Sequence, residues 1–341
     1  MIPNTNRRVV LASRPNGAPS PDNFRLEEVP CPQVAPPGGL LLQTRWLSLD
    51  PYMRGRMNAG HSYAPAAEIG EPMPGAAVCR VLASKSTDFD VGDSVVAFTG
   101  WQEVAAVAPE GVVKLPPDMA HPSWALGVLG MPGLTAYVGL LDIGEAKAGD
   151  TVVVGAATGP VGATVGQLAK LKGCRVVGVA GGTEKCELAV NTLGFDACIN
   201  HYAEERLAAD LASACPDGVD VYFENVGGKV LDAVVPLLNL RARMPVCGLV
   251  AWYNQTSDSV ASGLPNLMMR TLIHRIRIQG FIVGDHLGRR ADFLKDMQAW
   301  IAEGKVRYQE DVIEGLARAP MAFMGLLRGD NFGKLVIKVA D

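Results

Sequence analysis

The sequence predicts an α/β protein of two domains, a barrel-like β domain joined to a doubly wound, parallel-sheet domain. Three observations carry this. A chain of 341 residues fills about two domains at roughly 100–200 residues each. The first 120 residues break into short β-type runs between prolines and glycines, the texture of a small barrel. From residue 151 strands and helices alternate, a rhythm that calls for a parallel sheet covered on both faces. With 48% hydrophobic and 19% charged residues the composition is globular. A net charge of −4 provides no basic face for a nucleic-acid groove.

The elements follow in order. Residues 40–49, 78–83, 94–98, 101–107 and 112–115 read as strands of the first domain. An uncharged run over 122–141 is cut by Gly127, Gly130, Pro132, Gly133 and Gly139, so it reads as two short helices around a turn. A second uncharged run, 151–169, reads as strand, glycine turn and helix. Both runs approach membrane-spanning length, but their glycine pattern assigns them to a buried soluble core. Strands follow at 175–180, 219–224 and 243–250, with helices at 183–193, 204–215 and 229–238. A loop rich in Ser, Asn and Gly leads to a strand at 277–283, helices at 290–303 and 318–327, and a final strand at 334–339. Seven scattered cysteines without a C-x-x-C pair argue against a disulfide framework or zinc knuckle. No apolar stretch precedes Arg7 and Arg8, so no secretory signal is read. A reducing cytoplasm is expected.

The sharpest motif lies at the start of the second domain. A β-branched strand runs into Ala157-x-Gly159-x-x-Gly162, which opens an amphipathic helix. Gly159 lets backbone approach a pyrophosphate, and Gly162 lets the helix pack tightly on the strand. The helix N-terminus, from Pro160 and Val161, offers free N–H groups to an anion. At the end of the next strand an NAD site usually carries an acid for the ribose hydroxyls. Here Gly181 and Gly182 stand there, and Lys185 follows in the first helical turn. A missing acid with a nearby cation favours the 2′-phosphate of NADP.

Further segments carry a family likeness. They include Asp50-Pro51-Tyr52-Met53-Arg54-Gly55-Arg56-Met57, Glu224-Asn225-Val226-Gly227-Gly228, Cys247-Gly248, Tyr253-Asn254, Gly280-Phe281, and Gly-Leu-Leu-Arg-Gly-Asp-Asn-Phe-Gly-Lys over 325–334. With the glycine turn, they make the chain resemble the zinc-free medium-chain dehydrogenases/reductases. The likeness falls within the prostaglandin reductase (leukotriene B4 12-hydroxydehydrogenase) subfamily, toward its bacterial curcumin and alkenal double-bond reductases. The resemblance implies a GroES-like β-barrel catalytic domain over 1–122, completed by 316–341, and a Rossmann NADP-binding domain over 123–315. It implies that NADPH lies in the cleft. Lys185 would contact the 2′-phosphate. Asn225, Cys247 and Gly248 would border the nicotinamide half, Phe281 and Val283 would line it, and Asn331 would reach the coenzyme from the tail. His201 falls where relatives carry a tyrosine near the adenosine ribose. The family also implies a homodimer built through the Rossmann domains.

Zinc-type relatives use a Gly-His-Glu stretch and an early cysteine. Here Gly75-Ala76-Ala77 and Ser48-Leu49-Asp50 supply neither, and histidines 61, 121, 201, 274 and 286 show no ligand spacing. Together with these missing ligands, the resemblance implies metal-free hydride transfer to the β-carbon of an α,β-unsaturated aldehyde or ketone. A hydrogen-bond donor must then meet the enolate oxygen. Tyr253 and Tyr52 are the candidate donors, with Tyr63 weaker; Arg54 and Arg56 hold the loop or attract polar substrate tails. The rivals are a quinone reductase or allylic-alcohol dehydrogenase on the same scaffold, and a noncatalytic NADPH-binding protein.

Overall fold

A computed structural model describes residues 2–60, 63–255 and 263–340. The chain divides into two units, Met1–Leu126 with Glu310–Asp341, and Gly127–Gln309.

The first unit is built on an antiparallel hairpin and a larger sheet. The hairpin pairs β1 (Thr5–Leu11) with β2 (Phe24–Pro30). The sheet uses β3 (Leu40–Ser48), β4 (Ala77–Ser84), β5 (Ser94–Ala97), β6 (Val104–Val107) and β7 (Val113–Lys114). The last segment of the chain adds β14 (Glu310–Glu314) and β15 (Lys334–Lys338). The order is β14-β15-β3-β4-β5-β7, with β6 also paired to β3. β14 and β15 run parallel, and α9 (Ala319–Arg328) connects them, as a parallel pair requires a crossover. The tail also fills the core. Phe323 of α9 meets Trp101 edge-on at 5.6 Å, and Phe24 stacks on the same indole at 5.9 Å. The short helix α1 (Met53–Arg56) follows β3.

The second unit begins with α2 (Met131–Tyr137), continued by a π-helical turn over Val138–Ile143. Its sheet comprises β8 (Thr151–Val154), β9 (Arg175–Ala180), β10 (Ala197–Asn200), β11 (Val219–Phe223), β12 (Leu238–Val246) and β13 (Arg277–Gly280). All pairs are parallel, in the order β10-β9-β8-β11-β12-β13. The helices are α3 (Pro160–Leu171), α4 (Thr183–Asn191), α5 (Glu204–Ala214), α6 (Gly228–Val234), α7 (Leu264–His274) and α8 (Arg290–Ala302). β8 is buried along its whole length, which is why it reads as an unbroken β-branched run rather than an alternating one. Strand order reverses direction between β8 and β11, the topological switch point where such sheets bind ligands. Among the described residues no helix is long and apolar enough to cross a membrane.

Several elements differ from the expectation. The hairpin strands and β14 are too charged to read as strands; their exposed edges tolerate Arg25, Glu27, Glu28 and Asp311. β10 is a four-residue edge strand. β12 begins at Leu238, earlier than its hydrophobic run, because Arg241 takes a left-handed turn at φ +62° and breaks the pattern. α7 occupies a stretch read as loop. The chain passes between the units beside Leu126 and Glu310, whereas the sequence places these passages after 122 and 315; the second difference follows from β14.

Candidate active site

Four loops meet at the carboxyl ends of β8, β9, β11 and β12 in the second unit. The loop after β8 turns at Ala156, a non-glycine residue held at φ +46°. Gly159 is the N-cap of α3 and Pro160 its first residue. Proline suits that place, since its fixed φ matches the helix and no amide donor is lost. The first amides of α3, including those of Val161 and Gly162, have no acceptor one turn back and face out of the helix end. A Cβ on Gly162 would stand 2.3 Å from the Ala156 carbonyl oxygen, so the helix closes directly on the turn.

The loop after β11 is tied across the switch point. Asn225 Nδ2 donates to the Gly155 carbonyl at 2.9 Å. Its Oδ1 is buried and accepts nothing among the described residues. Glu224 is 1% exposed. Its Oε1 accepts from the amides of Val226 and Gly227, each at 2.7 Å. Its backbone carbonyl accepts from Cys247 and Gly248 at 2.8 and 3.3 Å. One residue therefore fixes both the β11 and β12 loops. Burial raises the Glu224 carboxyl above the ordinary carboxylate range, and the two amides oppose that shift. The sequence assigns no role to Gly155, and Glu224 enters it only as the first residue of a family segment. The available signal was their position at the ends of strands flanking the switch.

The loop after β12 brings Tyr253 back over this site. Its hydroxyl accepts weakly from the Leu249 amide at 3.4 Å. Burial raises its phenol above the ordinary value, so it is a protonated donor at neutral pH. The Cys247 thiol is pushed up to about 12 by burial, with Glu224 adding to the shift; it is not a thiolate nucleophile.

At the end of β9, Gly182 caps α4 at φ +95°. Asn200 Oδ1 accepts from the amides of Gly182 and Tyr202 at 2.9 and 3.0 Å. Lys185 is 8% exposed in the first turn of α4. A Cβ on Gly181 would lie 2.8 Å from the Tyr202 hydroxyl and 3.2 Å from His201 Nε2. A side chain at this position would have to displace the Tyr202 ring, and glycine also supplies no carboxylate.

The remaining candidates are placed differently. Phe281 follows β13, and its ring packs on Phe223 at 6.4 Å and against Gly139. Val283 opens the next short turn, half-buried. Tyr52 and Asn331 belong to the first unit. Tyr52 precedes α1, and burial, reinforced by Asp50, raises its phenol. Asp50 forms a buried ion pair with Lys334 at 2.8 Å and accepts from Ser48. Asn331 Nδ2 donates to the Gly333 carbonyl at 2.7 Å. Arg54, 2% exposed, donates to Asn58 and the Gly17 carbonyl. Arg56 donates to Pro65. Both arginines therefore hold the loop. His61 lies outside the described residues.

Residues 7–115 match the model described as the N-terminal domain of oxidoreductase, and residues 160–303 match that of zinc-binding dehydrogenase. The chain is 56% identical to the NADPH-dependent curcumin reductase of Escherichia coli (strain K12), over 98% of this chain and 97% of that protein. It is 42% identical to prostaglandin reductase 1 of Rattus norvegicus, covering 94% and 95%. A crystal structure of CurA from Vibrio vulnificus in complex with NADPH superposes with a TM-score of 0.94 at 54% identity, covering 98% of this chain and 99% of that one.

Proposed function

The chain belongs to the medium-chain dehydrogenase/reductase family, and from that premise we propose that it reduces the C=C bond of α,β-unsaturated aldehydes and ketones with NADPH. The observation that carries the coenzyme choice is the end of β9, where Gly181 and Gly182 leave no carboxylate and Lys185 lies nearly buried in the next turn. The substrate class rests on the relatives, which are named as curcumin and prostaglandin reductases.

In this reading Gly159, Pro160, Val161 and Gly162 seat the pyrophosphate on the open amides of α3. Lys185 serves the 2′-phosphate, and His201 stands near the adenosine ribose. Asn225, Cys247, Gly248, Phe281 and Val283 border the nicotinamide half, and Asn331 is a further candidate coenzyme contact. The buried, unused acceptor on Asn225 fits this, since such an atom is costly without a partner. When bound, NADPH would supply a hydride for the β-carbon. Tyr253 donates a hydrogen bond to the carbonyl oxygen as negative charge builds there, with Tyr52 the second candidate donor, and a proton from a side chain or solvent then reaches the α-carbon to complete the saturated product.

The reaction is read as zinc-independent on donor chemistry. Ser48, Leu49 and Asp50 offer no thiolate, and Asp50 is already held by Lys334. Among the described residues no three of His, Cys, Asp and Glu converge, whereas a zinc site needs at least three such ligands. A cytoplasmic location suits the cysteines, which are all free. A homodimer fits β13, an edge strand among the described residues, and the preceding α7, where Met268, Leu272, Ile273 and Ile278 are exposed; a second copy would cover them.

The test is NADPH oxidation with an enone, its saturated ketone and a quinone, repeated with NADH and followed by product analysis. Rapid turnover of the enone alone, with hydrogen gained at the alkene, is expected. Preferential turnover of the quinone, or tight NADPH binding with no turnover of any acceptor, would refute the reading.

A further inference from the structure

His201 stands at the β9–β10 end, and an imidazole ordinarily titrates near neutrality. It follows β10, and its amide donates to the Ala180 carbonyl at 3.0 Å, which fixes the residue beside the last turn of β9. Its Nε2 faces Gly181, where a Cβ would come within 3.2 Å. Its Nδ1 is buried with no hydrogen-bond partner among the described residues. The charged groups around it come from three helices. Lys185 belongs to α4, Lys229 to α6 and Glu204 to α5. Lys229 is itself paired with Glu204.

In the free protein these surroundings disfavour an imidazolium. Burial, then Lys229 and Lys185, hold His201 below its ordinary value, and Glu204 opposes them. A phosphate dianion between Lys185 and His201 reverses this balance, because it neutralises the lysine and attracts the proton. We infer that His201 is a proton-operated contact to the coenzyme's 2′-phosphate, neutral in the free protein and protonated in the complex, so that its contribution to choosing NADPH over NADH strengthens as pH falls. This rests on the NADPH reading above.

The sign follows from linkage. Coenzyme binding raises the proton affinity of His201, so protonation tightens binding equally. The tightening is complete below the free-protein value and disappears as pH rises through the higher value of the complex. The 2′-phosphate carries its own second ionisation near ~6, which acts in the opposite sense. It is common to wild type and variants, so the ratio of their affinities removes it.

The experiment measures Kd for NADPH and NADH by fluorescence titration of the full chain at about pH 6 and about pH 8.5, for wild type, His201→Phe and His201→Arg. A charge-assisted contact is expected to make His201→Phe about ten-fold weaker than wild type for NADPH at the lower pH. The two should agree within about two-fold at the higher pH, and NADH should show no such change. His201→Arg should hold its NADPH advantage over His201→Phe at both. A pH-independent Phe-to-wild-type ratio, or an equal change for NADH, overturns the proposal. If His201→Phe fails to fold, calorimetry of wild type in buffers of differing ionisation enthalpy replaces it. Near pH ~7.5 the phosphate is already ionised, so NADPH should take up a fraction of a proton and NADH none; equal uptake overturns the proposal. Failure of NADPH to bind refutes the coenzyme reading instead.

Discussion

Replacing Gly162 with alanine would place a methyl carbon 2.3 Å from the Ala156 carbonyl oxygen and 2.9 Å from that of Gly155. Both lie well inside the ~3.5 Å at which non-bonded heavy atoms normally meet. Both neighbours are backbone, so α3 or the turn must move. Overpacking of this kind costs about 1–3 kcal/mol. The upper end applies because Ala156 already sits at φ +46°, a conformation that costs an L-residue about 1–2 kcal/mol and leaves little slack. A loss of ~3 kcal/mol lowers Tm by roughly 6–12 °C in a unit of this size. Gly159→Ala is the control. Its Cβ would lie 3.2 Å from the same oxygen, with no other close neighbour, and its φ of −72° suits any residue. The predicted stability cost is under ~1 kcal/mol, but the methyl group would project where the pyrophosphate is proposed to approach. Thermal melts and NADPH titrations separate the two effects. Gly162→Ala should lose stability and affinity together. Gly159→Ala should melt within about 2 °C of wild type and bind NADPH at least about ten-fold more weakly. Wild-type affinity in Gly159→Ala would refute the pyrophosphate seat, and a wild-type melt in Gly162→Ala would refute the packing argument.

Tyr253→Phe should lower kcat by about ten-fold or more through loss of a donor to the enolate oxygen, with Kd for NADPH little changed; steady-state kinetics with unchanged kcat and KM would retire the role. Lys334→Met strands the Asp50 carboxylate, which is 5% exposed. That should cost about 3–5 kcal/mol by chemical denaturation, because a buried charge loses its partner. Adding Asp50→Asn should restore part of the loss. Leu272→Glu, at a side chain 73% exposed on α7, should give a monomer by light scattering if a second copy covers that face, and an unchanged mass would refute that interface. Prolonged chelation should leave enone reduction intact; restoration of lost activity by zinc would overturn the metal-free reading.

The parts legible in sequence were those whose signal is local. The strand, turn and helix of 151–171 show themselves because a doubly buried parallel strand is β-branched throughout and its helix must open on small residues. The absence of an acid after β9 is equally local. What failed to read was set by partners far away in the chain. β14 looks polar because its only strand partner is β15 and its side chains stay largely outside the core. Arg54 and Arg56 carry charges that could serve solvent or substrate, and only their contacts with Gly17, Asn58 and Pro65 assign them to the loop. Glu224 resembles any strand-end acid until its two amide contacts and two backbone acceptor bonds are seen.

Sequence by itself therefore determined the class of the fold, the glycine turn and the cationic first turn of α4, because periodicity and backbone permissiveness are properties of a few neighbouring residues. Tertiary structure alone decided that Asn225 spans from β11 to Gly155 with one oxygen left over, that Glu224 ties two loops, and that His201 lies against Gly181 among Lys185, Lys229 and Glu204. These contacts depend on the order of strands in the sheet, and that order brings together residues up to 70 positions apart, a separation that no local pattern encodes.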